Sequence, residues 1–219
     1  DDPMCRAVRK AYESGIVVVV AAGNGGGVGS GFGTITSPGN EPTAVTVGAM
    51  DDANTVATAD DVLGWYSSKG PSLIDYVVKP DLVAPGTWIV SLRAAGSYID
   101  TTYPGLALTM GEYRNDPHGA TKPGDYLVLS GTSMAAPMVS ATAALMLQKD
   151  PSLTPGTVKA RLMKSATKDD RLIFETGAGY LDVDAALKAA GHVQDALSPV
   201  AMPAPDGNVY VEATGLIWG

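Results

Sequence analysis

Ser130-Gly131-Thr132-Ser133-Met134-Ala135-Ala136-Pro137 joins a strand-like run, Tyr126 to Leu129, to an apolar segment that reads as a helix from about Ser133 to Lys149. Met134, Met138, Val139, Ala143, Ala144, Leu145, Met146 and Leu147 make that helix apolar nearly all round, which predicts burial at the centre of the domain; Pro151 stops it. Thr132 is a good N-cap residue, so Ser133 is expected in the first helical turn. There, unpaired backbone N–H groups and the positive end of the helix dipole favour negative charge, such as an attacking alkoxide or a tetrahedral oxyanion. Taken alone, Gly131-Thr132-Ser133 reads as an ordinary Ser/Thr-rich capping turn. The surrounding chain decides between the two.

Toward the N-terminus, Asp2 is a candidate N-cap, Pro3 fits position N1, and Ala7, Val8, Ala11 and Tyr12 recur at helical spacing before Gly15, predicting a helix over Pro3 to Ser14. Ile16 to Val20 follows, β-branched and without polar alternation, as in a strand covered on both faces of a parallel sheet. Ala44 to Ala49 and, more weakly, Leu82 to Ala84 read the same way. Thr154-Pro155 opens a helix with Val158, Leu162 and Met163 on one face, and Asp182 to Ala190 forms a last short helix ended by Gly191. The pattern predicts an α/β fold: a mostly parallel sheet with helices on both faces and the Ser133 helix at its centre. Arg93 to Asp125, broken by Pro104, Pro117 and Pro123, reads as an excursion with little regular structure. Residues 1–191 form the domain, and 192–219 are a Pro/Gly-containing tail in which Val209-Tyr210-Val211 alternates like a short strand.

Composition narrows the function. With 219 residues, 45% hydrophobic and 17% charged, the chain is globular, and its net charge of -8 argues against nucleic acid or anionic membrane as partners. Cys5 is the only cysteine, which excludes an intrachain disulfide and a Cys-based zinc cluster. No run approaches the roughly 18 apolar residues of a spanning helix. The opening Asp1-Asp2-Pro3 has no secretory-signal character, so the chain reads as a mature product or a fragment. Gly23 to Gly33 is glycine-rich, yet it offers no G-x-G-x-x-G register and no Walker lysine; a surface or substrate-cleft loop fits it better than a phosphate cradle. Asn24 leaves the Ile16–Val20 strand at the end where parallel α/β sheets bind ligands, so its amide is a candidate donor to an oxyanion.

Ala21-Ala22-Gly23-Asn24, Ser37-Pro38-Gly39, Val47-Gly48-Ala49-Met50-Asp51, Tyr66-Ser67-Ser68-Lys69-Gly70-Pro71, Lys79-Pro80-Asp81-Leu82-Val83-Ala84-Pro85-Gly86 and Gly131 to Pro137 resemble, in order, successive blocks of the subtilisin-like serine proteases (subtilases, peptidase family S8). Gly177-Ala178-Gly179-Tyr180 with Asp184-Ala185-Ala186 is similar to the family's closing segment. The resemblance implies a secreted serine endopeptidase acting on polypeptides. In it Ser133 is the nucleophile, and Asn24 with the Ser133 N–H forms the oxyanion hole. Ala21, Ala22, Gly23, Thr36, Ser37 and Pro38 line the pocket for the residue preceding the cleaved bond. The chemistry requires no cofactor, but Asp81 matches a position that binds a structural calcium or monovalent cation in some members, with carbonyls from the Ser37 to Thr43 loop. Met138 replaces a histidine common after this block, which is not the catalytic one.

The family's Asp-Thr/Ser-Gly and His-Gly-Thr-His blocks, which carry the catalytic acid and base, have no counterpart here. Asp100-Thr101-Thr102 lacks the glycine, His118-Gly119-Ala120-Thr121 lacks the helix-opening context, and His192 flanks the last helix. The chain is therefore expected to be the C-terminal portion of a protease whose missing N-terminal half is its partner, and to be nearly inactive without it. The competing expectation is an inert structural module that self-associates through an exposed sheet edge. An α/β-hydrolase esterase does not fit, because Ala135 stands where the nucleophile elbow has its second glycine.

Overall fold

The computed structural model describes residues 2–114 and 123–211. Two compact units form, Asp1–Gly86 with Gly131–Gly219, and Thr87–Ser130. In chain order the first unit begins with α1 (Pro3–Glu13), β1 (Val19–Ala21), β2 (Val45–Asp51), a 3-10 turn, β3 (Val62–Leu63) and β4 (Leu82–Pro85). The second holds β5 (Ile89–Leu92), α2 (Tyr98–Thr102), a second 3-10 turn, β6 (Ala107–Thr109), α3 (Met110–Arg114) and β7 (Pro123–Leu129). The first then resumes with α4 (Thr132–Lys149), α5 (Pro155–Ser165), α6 (Ile173–Thr176), α7 (Val183–Lys188), β8 (Ala201–Pro203) and β9 (Val209–Val211).

The sheet of the first unit is built around β2, whose seven residues are buried except for Asp51. β1 and β4 run parallel to β2, with Ala21 opposite Val47 and Val47 opposite Leu82, and β3 pairs antiparallel through Met50 and Leu63. The predicted mostly parallel α/β architecture is therefore observed. The first predicted strand is shorter than Ile16 to Val20 and only half-buried, because β1 pairs with β2 alone among the described residues. Cap chemistry placed α1 and α5 closely: Asp2 accepts from the Met4 N–H, Thr154 accepts from the Thr157 N–H, and each helix has Pro at N1.

α4 packs on β1, β2 and β4 through Thr132, Ala135, Val139, Thr142, Ala143 and Met146, a stripe at i, i+3, i+4 spacing. Burial all round was expected from its composition; instead Pro137, Ser140, Ala141, Ala144 and Leu145 are exposed, because a helix laid on a sheet buries one face.

The second unit carries more regular structure than its prolines imply. β7 is the middle strand of an antiparallel sheet between β5 and β6, and the Arg93 guanidinium binds Asp100 and the Gly124 carbonyl. Asp100 thus serves as a structural ion-pair partner. His118 lies outside the described residues. The described residues beyond 192, to Val211, pack on the rest of the first unit: the Val78 N–H bonds to Pro199 O, the Ala201 N–H to Tyr76 O, and β8 pairs with β9.

Candidate active site

Asn24 follows β1 directly, and Thr132 and Ser133 open α4, so the packing of α4 on β1 brings together residues 108 positions apart. The Asn24 Oδ1 accepts the Thr132 backbone N–H at 2.9 Å and the Thr132 hydroxyl at 3.0 Å. Because a backbone N–H can only donate, the atom facing it is the amide oxygen, and the orientation of the Asn24 side chain is fixed. The Thr132 hydroxyl in turn accepts the Gly23 N–H at 3.2 Å. The NH2 of Asn24 is then left as a donor toward the helix N-terminus.

Thr132 was expected to cap α4 and does not. Gly131, at φ 155°, is the N-cap, and Thr132 is the first helical residue, its hydroxyl spent on Asn24. Ser133 is the second residue of the helix and is exposed; its hydroxyl has no hydrogen-bond partner among the described residues. At that position its N–H has no carbonyl four residues back within the helix, and points with the helix dipole at any anion formed there. Asn24 Nδ2 and the Ser133 N–H are both left available as donors at this end of the helix.

Gly23 closes the adjoining wall. A Cβ there would lie 2.8 Å from the Ser68 hydroxyl and 3.0 Å from the Thr36 hydroxyl, at a φ of +109° that disfavours any side chain. Ala22 is buried, Ala21 half-buried, and the Thr36 N–H reaches Ala22 O at 3.4 Å, so Thr36 stands beside this segment. Ser37 turns away. Its hydroxyl lies 3.9 Å from the Cys5 thiol, and with Ile35 it lines a separate cavity of about 610 Å³ beside Cys5, Arg9 and Glu41. Pro38 continues that loop, half-buried. Ser68, to which the sequence assigned no role, accepts the Gly25 N–H at 3.0 Å and donates its own N–H to Gly23 O, holding the loop after Asn24 in place. Only its place in the block Tyr66 to Pro71 pointed to it.

No described histidine approaches Ser133. His192 is exposed and acts electrostatically on Asp150, just past the C-terminal end of α4, some 25 Å from Ser133 at about 1.5 Å per residue.

Asp81 is wholly buried and does not suit an added cation. Its Oδ2 accepts the Thr46 N–H at 2.7 Å and pairs with Lys79 Nζ at 2.8 Å; its Oδ1 accepts the Ser198 hydroxyl at 2.6 Å and lies 3.1 Å from Lys159 Nζ. Burial pushes its carboxyl up, but the two ammonium groups outweigh this and hold it below the usual carboxylate range. Two positive charges already stand where a cation would bind. Among the described residues, no group of three or more His, Cys, Asp or Glu side chains could hold a metal ion.

Comparison with known proteins extends these observations. A family model described as Peptidase_S8, Subtilase family, matches residues 1–180. The chain is 41% identical over 181 residues to serine protease AprX of Bacillus subtilis (strain 168), covering 81% of this chain and 37% of that protein. It is 35% identical over 182 residues to subtilisin DY of Bacillus licheniformis, covering 83% of this chain and 50% of that protein. The chain thus spans half or less of the length of these two relatives. Among solved structures, fervidolysin of Fervidobacterium pennivorans, a keratinolytic enzyme related to subtilisin, aligns over 95% of this chain and 30% of its own, at 25% identity and a TM-score of 0.63.

Proposed function

Since the chain belongs to the subtilase family of serine proteases, we propose that it is the part of a secreted endopeptidase that carries the nucleophile and the oxyanion hole. Ser133 attacks the carbonyl carbon of a peptide bond, the electron pair moves to the carbonyl oxygen, and Asn24 Nδ2 with the Ser133 N–H bind the resulting oxyanion. Collapse of that intermediate expels the amine and leaves an acyl-enzyme, which water hydrolyses. A histidine oriented by an aspartate must take the Ser133 proton and pass it to the leaving amine. We place both on a segment upstream of Asp1, a reading supported by the absence of their blocks from this sequence and by the 37% and 50% of the two Bacillus relatives that it covers. Extracellular location rests on the family resemblance alone.

The Thr132 bond pair to Asn24 carries this reading, because it aims an amide donor at the N-terminus of the helix that bears an exposed serine. A fluorophosphonate probe with peptide mapping tests it: Ser133 should label when the upstream segment is present and not in Ser133→Ala, and failure to label in the complete protease would overturn it. Thr132→Val should lower kcat about tenfold with KM little changed, since it removes one of two bonds that orient Asn24. Steady-state kinetics on a peptide substrate reads both parameters.

One observation favours a second reading for the chain by itself. The outer edge of β1 is unpaired among the described residues and Ile16 beside it is 55% exposed, so an isolated chain has an edge on which another copy could pair. Light scattering separates the two: a monodisperse monomer excludes the self-associating module.

A further inference from the structure

The Asp81 cluster contains two lysines with no exposed side-chain surface, an arrangement that needs a reason. Lys159 Nζ donates to Pro42 O at 2.6 Å, to Ala44 O at 2.8 Å and to the Ser198 hydroxyl at 2.7 Å. Lys79 Nζ donates to Ala44 O at 3.1 Å and to Asp81 Oδ2 at 2.8 Å. Carboxylate, hydroxyl and main-chain carbonyl oxygens converging on a positive centre are the donor set of a hard-cation site. Here the positive centres are side chains of the protein itself. Glu41, the other buried acid nearby, is taken up by Arg9 and by the Thr43 hydroxyl.

We propose that this cluster is a self-supplied cation site, in which the Lys79 and Lys159 ammonium groups do the structural work of an inorganic ion. They tie the 42–46 segment to Asp81 at the head of β4. Through Ser198 they also bind the segment after α7, whose N–H at Ser198 donates to Pro42 O at 3.0 Å. The loop that sets Thr36 beside Gly23 is therefore anchored without calcium, sodium or potassium. An added ion would meet two ammonium groups against one carboxylate and find the Ala44 carbonyl already accepting two bonds. This assignment does not depend on the proteolytic reading.

Thermal unfolding of the intact protein tests it at pH 6, where Lys159 still carries its proton, at constant ionic strength in choline, sodium, potassium or calcium chloride and after treatment with a chelator. The native protein should melt within about 1 °C in all of them. Lys79→Ala removes a charge and opens space; its melting point should fall by roughly 6–20 °C and recover in part with potassium or calcium but not choline. Lys79→Met, which removes the charge but leaves little room, should fall without recovering. A native melting point that rises more than about 3 °C with calcium or potassium, and loses that rise in Asp81→Asn, would overturn the proposal. So would ions that stabilise Lys79→Ala no more than they stabilise the native protein. If Lys79→Ala does not fold, isothermal titration of the native protein with calcium and potassium decides the matter: heat of binding that Asp81→Asn abolishes refutes it, and its absence supports it.

Discussion

With the proposed upstream segment present, Ser133→Ala should lower peptide hydrolysis by roughly 10⁶-fold, about 8 kcal/mol of barrier, while leaving stability within about 0.5 kcal/mol. The size of the kinetic loss is the one known for the nucleophile of a subtilisin, a relative of this chain. The unchanged stability follows from the structure. The Ser133 side chain is exposed and its hydroxyl has no partner among the described residues, so removing one oxygen breaks no bond and opens no cavity. The Asn24–Thr132 pair and the Ser133 N–H both survive the change, which leaves residual hydrolysis above that of water. Active-site titration and progress curves, with urea unfolding run in parallel, check both halves. A loss below 100-fold would remove Ser133 from the nucleophile's role.

Stability of the native protein is expected to rise between pH 7 and pH 9, and Lys159→Met should flatten the rise. Burial pushes the Lys159 ammonium down to about 7; Asp81 opposes the shift and Lys79 adds to it. Lys79 is lowered by the same burial, against the pull of Asp81. In the unfolded chain both lysines keep their protons to about pH 10.4, so above pH 7 the unfolded state binds more protons than the folded one. Stability must then climb with pH, at up to about 1.4 kcal/mol per unit for Lys159 alone and on the order of 2 kcal/mol by pH 9. One opposing contribution enters this window: the raised Cys5 thiol begins to withdraw stability near about pH 8.5 and blunts the top of the rise. The raised Tyr12 and Tyr180 hydroxyls do so only above about pH 9, and the depressed Asp81 carboxyl only in acid. Urea midpoints at pH 6, 7, 8 and 9 give the slope, and the difference between native protein and variant removes the effect of overall charge. A midpoint that falls over this range in the native protein, or rises equally in the variant, contradicts the assignment to Lys159.

The fold was legible wherever a local signal dictated local structure. Asp2-Pro3 and Thr154-Pro155 announce helix starts by N-cap and N1 chemistry, and the β-branched run at β2 has the composition of a strand buried on both faces. What escaped depends on partners distant in sequence. Thr132 reads as an N-cap because threonine usually is one, and only Asn24, arriving from 108 positions away, diverts its hydroxyl. Lys79 and Lys159 drew no structural expectation from the sequence; nothing in their neighbourhoods foretells that Asp81, two carbonyls and Ser198 close over them. Ser37 and Thr36 are adjacent in sequence yet face different spaces, so a motif could nominate the loop but not the side of it that meets the site.

Within the second unit, strands β5 and β7 form a stem, paired from Ile89 opposite Leu129 to Leu92 opposite Tyr126. The Arg93 N–H still reaches Asp125 O at 2.8 Å, and at the base the Gly131 N–H reaches Gly86 O at the same distance. Everything between Arg93 and Asp125 therefore begins and ends at one point in space, and lengthening it adds only a logarithmic closure cost. The chain has in effect an attachment port between Gly86 and Gly131, closed by that bond whatever sequence runs between them. Evolution or an engineer can exchange the sequence above that stem, for a tight turn or for a foreign domain, without altering the connection that delivers Ser133 to Asn24.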